Sequence, residues 1–310
     1  MATAQSSVIN TYQRKNRVMQ TKRIHLAHEL SLLCQRNKDG SFSTQAARKR
    51  ILYQAAMQLK ALGVYNLSPQ GLKPRHIEKL VGLWLAEGLS AGTLKNRMSH
   101  LRWWAEKIGK PAIIHRDNTA YGIDRRKYVT NISKARELDA EKLAKVNDTR
   151  IRCSLELQAA FGLRREECLK FSPSVADKGD SIVLKASWTK GGKARTIPVR
   201  TAKQRALLDR VHQLVGKGSM IPPDKQYVEQ LHRYEGMTKA AGLSKMHGLR
   251  HAYAQARYLE LTGRAAPACG GRVSRALTVE EKQQDNEVRL IISKELGHER
   301  ESVTAVYLGR

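Results

Sequence analysis

The sequence is short of several kinds of residue, and each shortage narrows what the protein can be. Only 5% of its 310 residues are aromatic, and only 28 are acidic against 56 lysines and arginines, which gives a formal net charge of +28. Such an excess of positive charge opposes compaction unless a polyanion neutralises it. An excess of lysine and arginine over a whole chain is typical of proteins that bind nucleic acid, so we expect nucleic acid as the partner.

Cysteine is also scarce. The four cysteines form no C-x-x-C pair and have no regular spacing; they are Cys34, Cys153, Cys168 and Cys269. This pattern favours neither a zinc site nor a disulfide framework, and it fits a reducing compartment.

Long apolar runs are missing as well. The first residues lack the apolar core of a secretory leader, and no run approaches the roughly 20 residues of a membrane span. We therefore expect a soluble intracellular protein without membrane contact. The 41% of hydrophobic residues is enough to build the cores of two modest domains.

The N-terminal third divides into an arm and a helical domain. Residues 1–22 are polar and basic with almost no apolar pattern, which indicates an arm that either follows DNA phosphates or is a solvated tail. Residues 23–110 show helical periodicity and predict four helices, the third beginning at Pro74 and the fourth capped by Ser90. Four helices of this length predict a compact bundle.

Basic side chains stand between the apolar positions of these helices and predict a strongly basic outer surface. An ordinary solvated helix face is the alternative. The residues expected to contact DNA are Arg48, Lys49, Lys95, Arg97 and Arg102.

The rest of the chain predicts a linker and a second domain. Residues 111–135 have no sustained periodicity and are rich in turn formers and basic residues, which is typical of a linker. Residues 136–310 predict helices and one β-hairpin, formed by alternating stretches at 182–184 and 196–199 around a glycine turn. The expected fold is mainly α with a small β-sheet (α+β).

Short motifs in the second domain carry candidate chemistry. In chain order they are Gly162-Leu163-Arg164-Arg165-Glu166-Glu167, Thr189-Lys190-Gly191-Gly192-Lys193, His247-Gly248-Leu249-Arg250-His251 and Leu296-Gly297-His298, with Tyr307 nine residues after His298. The order arginine, lysine, histidine-x-x-arginine, histidine, tyrosine resembles the site of the tyrosine recombinase (phage integrase) family. The resemblance extends over essentially the whole chain, strongly over residues 155–310 and loosely before residue 110.

Two of these motifs also have simpler interpretations. Arg164 and Glu167 share a helix face at i,i+3, so they could form an ordinary surface ion pair, or the carboxylate could hold the guanidinium ready for a phosphate. His247 and His251 stand at i,i+4 like zinc ligands, but the glutamate of H-E-x-x-H and a third ligand are missing. We therefore predict no metal.

The resemblance implies a role for each matching residue. It predicts catalytic roles for Arg164, Lys190, His247, Arg250, His298 and Tyr307, with Glu167 in support. The lysine would donate a proton to the leaving 5′ oxygen, and Lys193 is the alternative to Lys190. A phenol is a weak nucleophile near neutral pH unless positive charge surrounds it, and the two arginines and the histidines would supply that charge and the hydrogen-bond donors. No cofactor is implied.

The implied activity is site-specific DNA recombination by an N-terminal core-binding domain and a C-terminal catalytic domain. The resemblance implies a 3′-phosphotyrosyl intermediate, a role in integrating or excising a mobile element, and double-stranded DNA attachment sites as partners. It further implies a homo-tetramer on two duplexes, accessory DNA-bending or directionality proteins, and a place at the nucleoid in the cytoplasm of a prokaryote. The alternatives are a Xer-like resolvase or a tyrosine transposase, a type IB topoisomerase, and a non-catalytic DNA-binding regulator on the same fold.

Two features depart from compact family members. Between Arg250 and His298 there is room for an insertion near residues 262–286, expected to form an extra hairpin or a disordered loop. The sequence given also continues for only three residues after Tyr307, where many relatives have a helix that docks on the next protomer. We therefore expect either that another element, such as the insertion, makes the subunit contact, or that cleavage in this protein is controlled differently.

Overall fold

The computed structural model describes residues 26–310, so the predicted arm at residues 1–22 lies outside the described residues. Two compact units follow one another, the first ending at Arg126 and the second running from Lys127 to Arg310. The division between them falls inside the stretch predicted to be a linker. None of the helices between residues 26 and 310 is both long enough and apolar enough to cross a membrane.

Within the described residues 26–126, the first unit is a bundle of four helices. They are α1 (Leu26–Arg36), α2 (Phe42–Ala61), α3 (Pro74–Ala86) and α4 (Ala91–Lys107), with 3₁₀ turns at Pro69–Gly71, Pro111–Ile113 and Asn118–Tyr121. Pro74 opens α3, and the Ser90 hydroxyl caps α4 by accepting from the Thr93 amide at 3.3 Å. The core is built on Trp84 and Trp104, whose indole N–H groups donate to Gln58 and to the Pro69 carbonyl.

Arg48 does not lie on the outer basic surface, and that prediction is wrong. Its side chain is buried at 5% exposure, and its guanidinium carbon lies 4.0 Å from the ring centroid of Trp103. The reason is its position, three and four residues before the buried Ile51 and Leu52, which places it on the core face of α2. Its neighbour Lys49 is exposed.

The other predicted DNA-contacting residues stand on α4 and are half-buried. Arg97 lies over the ring of Trp84 at 5.0 Å, and Arg102 donates to the His115 carbonyl at 2.7 Å. Lys95 occupies the same helix with an intermediate exposure.

The second unit is mainly helical with one small sheet, so the predicted fold class is confirmed. Its two strands, β1 (Ser181–Leu184) and β2 (Arg195–Pro198), pair antiparallel with Ser181 opposite Pro198 and Leu184 opposite Arg195. The helices are α5 (Ala140–Ala144), α6 (Thr149–Phe161), α7 (Arg165–Leu169), α8 (Pro173–Ala176), α9 (Ala202–Val215), α10 (Tyr227–Ala240), α11 (Gly248–Thr262), α12 (Val279–Glu295) and α13 (Glu301–Leu308), with 3₁₀ turns at Ala186–Trp188, Pro267–Cys269 and Ser274–Ala276.

The insertion is not a β-hairpin. Between residues 262 and 286 it forms the last two 3₁₀ turns and then the first turns of α12. Thr278 begins that helix because its hydroxyl accepts from the Glu281 amide while the Glu281 carboxylate accepts from the Thr278 amide at 2.9 Å. The capping pair therefore explains why residues from Val279 onward form a helix and not a hairpin strand.

Helix α11 forms the centre of the second unit and packs against α6, α12 and α13. Phe161, Tyr253 and Tyr258 fill the space between these helices and are buried. The packing gathers the ends of several elements at one place: the end of α6, the start of α7, the start of α11, the turn after α12, and α13.

Candidate active site

Arg164 is held at the start of α7 by its own helix. Helix α6 ends at Gly162, which has φ +61°, and a Cβ there would lie 2.7 Å from the ring of Tyr253, so only glycine fits. The Glu167 carboxylate then reaches back, accepting from the Arg164 amide at 2.6 Å and from Arg164 Nη1 at 2.8 Å. Arg164 also donates through Nη2 to the Leu296 carbonyl at 3.2 Å.

Glu167 is completely buried and binds a second arginine that the sequence analysis missed. Arg195 on β2 donates to its two carboxylate oxygens at 2.7 and 2.5 Å, and to the Glu295 carbonyl at 2.9 Å. Burial alone would raise the pKa of Glu167, but the hydrogen bonds and charges of Arg195 and Arg164 outweigh it and lower the pKa to about 2. The carboxylate is therefore ionised and fixes both guanidinium groups.

One signal could have identified Arg195. It stands two residues before the buried Ile197 on a strand, and side chains at i and i+2 face the same side of a sheet. The alternation thus placed an arginine on the core face, where a charge requires a partner.

Arg250, in the first turn of α11, is 1% exposed and aims its donors at three different oxygens. Its Nε donates to the Tyr307 hydroxyl at 3.2 Å, its Nη1 to the Gly162 carbonyl at 2.5 Å, and its Nη2 to the Leu296 carbonyl. Burial lowers the pKa of Arg250 to about 10, which leaves the group cationic near neutral pH. The Leu296 carbonyl accepts from both Arg164 and Arg250, so it joins the two guanidinium groups.

The turn that supplies this carbonyl depends on Gly297. Its φ is +69°, and a Cβ there would lie 3.0 Å from Arg195 Nη1 and 3.5 Å from Arg164 Nη1. His298 follows, with its Nε2 3.4 Å from Arg164 Nη2. The predicted Leu-Gly-His turn therefore lies against the arginines.

Tyr307 lies on α13, buried at 6% exposure, with three imidazole rings around its phenol. The ring centroid of His251 is 4.7 Å from that of Tyr307, and those of His247 and His298 are both 6.2 Å away. The structure thus brings together five of the six predicted residues: Arg164, His247, Arg250, His298 and Tyr307. His251, which the sequence suggested only as a zinc partner, is the imidazole nearest the phenol ring.

The three imidazoles are neutral near pH 7. Burial, with the charges of nearby arginines, lowers the pKa of His247 and lowers that of His298 to about 4. Burial and then the neighbouring His247 lower the pKa of His251 to about 4. In residues 26–310, no cluster of three His, Cys, Asp or Glu side chains has the arrangement of a metal site.

The sixth predicted residue is the lysine. Lys190 is exposed on the turn between β1 and β2. Lys193, its alternative, forms an ion pair with Glu299, the residue after His298. Both side chains of that pair are well exposed, so the pair contributes little to stability.

Comparison with known proteins agrees with this arrangement. The phage integrase N-terminal model matches residues 24–114, and the integrase model matches residues 125–256. No curated protein sequence matches the chain. The chain belongs to the phage integrase family, as its motifs predicted, and it is a tyrosine-type site-specific DNA recombinase.

Solved structures of low sequence identity share the fold. A lambda integrase dimer bound to a COC′ core site matches with a TM-score of 0.57 and 17% identity, covering 96% of this chain and 82% of that chain. XerH recombinase bound to palindromic difH substrate matches at 0.55 and 16%, covering 92% and 81%. The Tn1549 transposon integrase in complex with circular intermediate DNA matches at 0.53 and 12%, covering 92% and 95%.

Proposed function

We propose that the groups around Tyr307 cleave and rejoin DNA through a 3′-phosphotyrosyl intermediate. The observation that carries the proposal is the 3.2 Å contact between Arg250 Nε and the Tyr307 hydroxyl, together with the Leu296 carbonyl that joins Arg250 to Arg164. A buried cation beside the phenol oxygen stabilises the negative charge on that oxygen during the attack, and a phosphate that meets two guanidinium groups has its developing charge stabilised.

In the proposed first step, the Tyr307 oxygen attacks the phosphorus and the bond to the 5′ oxygen breaks. The electron pair leaves with that oxygen, which takes a proton and becomes a 5′ hydroxyl. The phosphate stays on the 3′ side, joined to Tyr307. A 5′ hydroxyl of another strand then attacks the phosphotyrosine and releases the phenol, so the bond energy is kept throughout.

The residues divide this work by their chemistry. Arg164 and Arg250 bind the non-bridging oxygens with donors in a fixed direction, while Glu167 and Arg195 hold Arg164 in place. His247 and His298, neutral near pH 7, act as hydrogen-bond partners and as acceptors of the phenol proton.

A covalent-trapping experiment tests this proposal. Duplexes selected by binding from a randomised pool are nicked at successive positions, so that a short cleaved fragment diffuses away and the protein–DNA adduct accumulates. We expect a denaturation-resistant adduct with the natural chain and none with Tyr307→Phe. An adduct that persists in Tyr307→Phe would refute the assignment of the nucleophile.

The proton donor can be identified with the same duplexes. A sulfur atom in place of the 5′ bridging oxygen makes a leaving group that needs no proton. Lys190→Ala and Lys193→Ala are compared on both substrates, and we expect Lys190→Ala to be slow on the oxygen substrate and restored on the sulfur one. Restoration of Lys193→Ala instead would transfer the role to that residue.

For the biological role, we propose integration or excision of a mobile element by a homo-tetramer on two duplex attachment sites. Support comes from the neighbours' own descriptions, which include a transposon integrase and a lambda integrase tetramer bound to a Holliday junction. In this proposal Lys49, Lys95, Arg97 and Arg102 contact DNA phosphates, and accessory DNA-bending or directionality proteins set the outcome. The protein would work at the nucleoid of its prokaryotic host.

A further inference from the structure

The main chain just after the candidate nucleophile is held by a segment distant in sequence. Asn131 lies four residues after Lys127, where the second unit begins. Its side-chain amide forms hydrogen bonds with both the main-chain carbonyl and the main-chain amide of Arg310. Its Nδ2 donates to the Arg310 carbonyl at 2.8 Å, and its Oδ1 accepts from the Arg310 amide at 2.8 Å. One side chain thus pairs with Arg310 as a neighbouring strand would.

A second set of hydrogen bonds leads from the same segment to Tyr307 itself. The Ala135 amide donates to the Ser133 hydroxyl at 3.1 Å, and that hydroxyl donates to Gln255 Oε1 at 2.9 Å. The Gln255 amide nitrogen then donates to the Tyr307 carbonyl at 2.9 Å. Because the Tyr307 carbonyl can only accept a hydrogen bond, the nitrogen of the Gln255 amide must face it, and Oε1 is left to accept from Ser133.

The backbone of Asn131 is in an uncommon conformation. Its φ is +51°, in the left-handed region that residues other than glycine seldom adopt, although asparagine adopts it more readily than most. Strained positions of this kind persist where the surroundings require them, often at functional sites. Here the conformation presents the Asn131 amide to Arg310.

A third, independent anchor holds the same region from α12. The buried Arg289 donates through Nη1 to the Gly309 carbonyl at 2.8 Å and is ion-paired with Asp285 at 2.7 Å. Loss of the Asn131 or Gln255 contacts would therefore leave α13 attached to the unit. It would loosen the placement of Tyr307 without unfolding the helix.

We propose that Asn131, Ser133 and Gln255 form a clasp that positions the nucleophile. They are positioning residues, since they act through the main chain at Tyr307 and Arg310 and touch neither the phenol oxygen nor the guanidinium groups of Arg164 and Arg250. The contact from Arg250 Nε to the phenol depends on where the end of α13 lies. A misplacement of about 1 Å can cost on the order of 100-fold in rate, so the clasp would control cleavage more than DNA binding.

The test rests on the proposed function and compares Asn131→Gly with Asn66→Gly. Both asparagines are exposed and have a left-handed φ, +51° and +55°, so glycine suits both backbones and removes the same side chain. Adduct formation at saturating nicked duplex, DNA affinity and melting temperature are measured for each. We expect Asn131→Gly to slow adduct formation roughly 10-fold to 100-fold with affinity and melting temperature nearly unchanged. Asn66→Gly should match the natural chain in all three.

Two further variants separate the parts of the clasp. Asn131→Asp keeps the acceptor for the Arg310 amide but turns a carboxylate oxygen toward the Arg310 carbonyl, so it should slow adduct formation at least as much as Asn131→Gly does. Gln255→Glu turns a carboxylate oxygen toward the Tyr307 carbonyl and should slow adduct formation at least as much as Asn131→Gly does.

The outcomes decide between positioning and mere stability. A rate unchanged in Asn131→Gly and Gln255→Glu overturns the inference, and so does a rate that falls only in proportion to affinity or melting temperature. If the natural chain and Tyr307→Phe behave alike, the proposed function fails. If the natural chain forms the adduct and the clasp variants equal it, only this inference fails.

Discussion

In the first unit, Arg48 and Arg97 lie over the rings of Trp103 and Trp84, at 4.0 and 5.0 Å from the centroids. In the second unit, Arg195 and Arg250 donate to carboxylate and carbonyl oxygens. A ring face attracts a cation but does not fix the direction of its N–H groups, whereas oxygen acceptors do. Arginines stacked on rings stabilise the helix packing of the first unit without a fixed donor direction. Arginines bound to oxygen acceptors hold their N–H groups in fixed directions, so several of them can be directed at one group.

The largest effect on adduct formation should come from a substitution that keeps the positive charge but removes the fixed direction of the guanidinium donors. The Arg250 guanidinium donates to the Gly162 carbonyl, the Leu296 carbonyl and the Tyr307 hydroxyl at once, and the single ammonium of Arg250→Lys cannot reproduce this geometry. We expect adduct formation to fall by roughly 10²- to 10³-fold, the scale of losing one aligned donor at a reacting centre. Arg165→Lys is the control, because Arg165 forms a half-exposed ion pair with Glu235 and should change the rate little. Equal rates for the two variants would contradict the comparison.

The acceptor that aims the arginines should matter next. Glu167→Gln leaves Arg164 and the buried Arg195 without their countercharge, and we expect the free energy of unfolding to fall by about 3–5 kcal/mol. The neighbouring Glu166→Gln breaks an exposed i,i+4 pair with Lys170 and should cost less than about 1 kcal/mol. Denaturant titration of both variants measures the difference, and similar losses would refute the role of Glu167.

Glu167→Gln and Glu166→Gln should also differ in how their stability depends on pH under acid conditions. The pKa of Glu167 is about 2 in the folded protein against 4.5 as its ordinary value, so its stabilisation is complete above pH 4.5. The stabilisation is lost as the pH falls from 4.5 toward 2. Unfolding curves between pH 5 and pH 2.5 should therefore be less steep in pH for Glu167→Gln than for Glu166→Gln.

A smaller effect should come from two of the buried histidines, His251 in the second unit and His100 in the first. The folded-state pKa of His251 is lowered to about 4, so protons bind the unfolded chain more readily and stability falls as the pH drops from 6.5 to 4. His251→Gln should reduce this slope by at most about 1.4 kcal/mol per pH unit. Burial likewise lowers the pKa of His100 in the first unit, so His100→Gln should also flatten the slope. Of these two variants, only His251→Gln should slow adduct formation, because His251 packs on Tyr307.

The smallest effect should separate adjacent basic residues on α2. Lys49→Gln removes an exposed charge and should weaken DNA binding a few-fold, reducing the slope of log affinity against log salt by about 1. Arg48→Met removes a buried charge that lies against Trp103 and should lower the melting temperature while leaving that slope nearly unchanged. Titrations at several salt concentrations measure both, and identical slopes would show that burial does not distinguish the two residues.

Much of the fold could be predicted because its local signals are strong. Pro74 and Ser90 mark helix starts, and the glycines around residues 191–192 mark a turn. The Thr278 and Glu281 pair is an equally clear start signal for α12, although the insertion around it was expected to be a hairpin or a disordered loop. Arg48 was predicted on the outer surface because arginine is usually exposed, whereas its spacing of three and four residues from Ile51 and Leu52 puts it on the core face.

The candidate site was predictable in its residues but not in its connections. The order of motifs gave Arg164, Arg250 and Tyr307, whereas Arg195 was missed because the predicted strand began at residue 196, one position after it. No sequence pattern predicts that one backbone oxygen, at Leu296, would accept from two arginines. Contacts of this kind join residues more than 40 positions apart, and only the tertiary packing of α6, α11 and α12 creates them.

That shared oxygen has a consequence for how the enzyme meets DNA. The spacing between the two guanidinium groups is set by the protein before any substrate arrives, so in the proposed mechanism an incoming phosphate would find its binding partners already in register. Reorganisation is largely avoided at the moment of reaction. A change that moves the Leu296 carbonyl would shift both arginines together, and selection would therefore act on the pair as one unit.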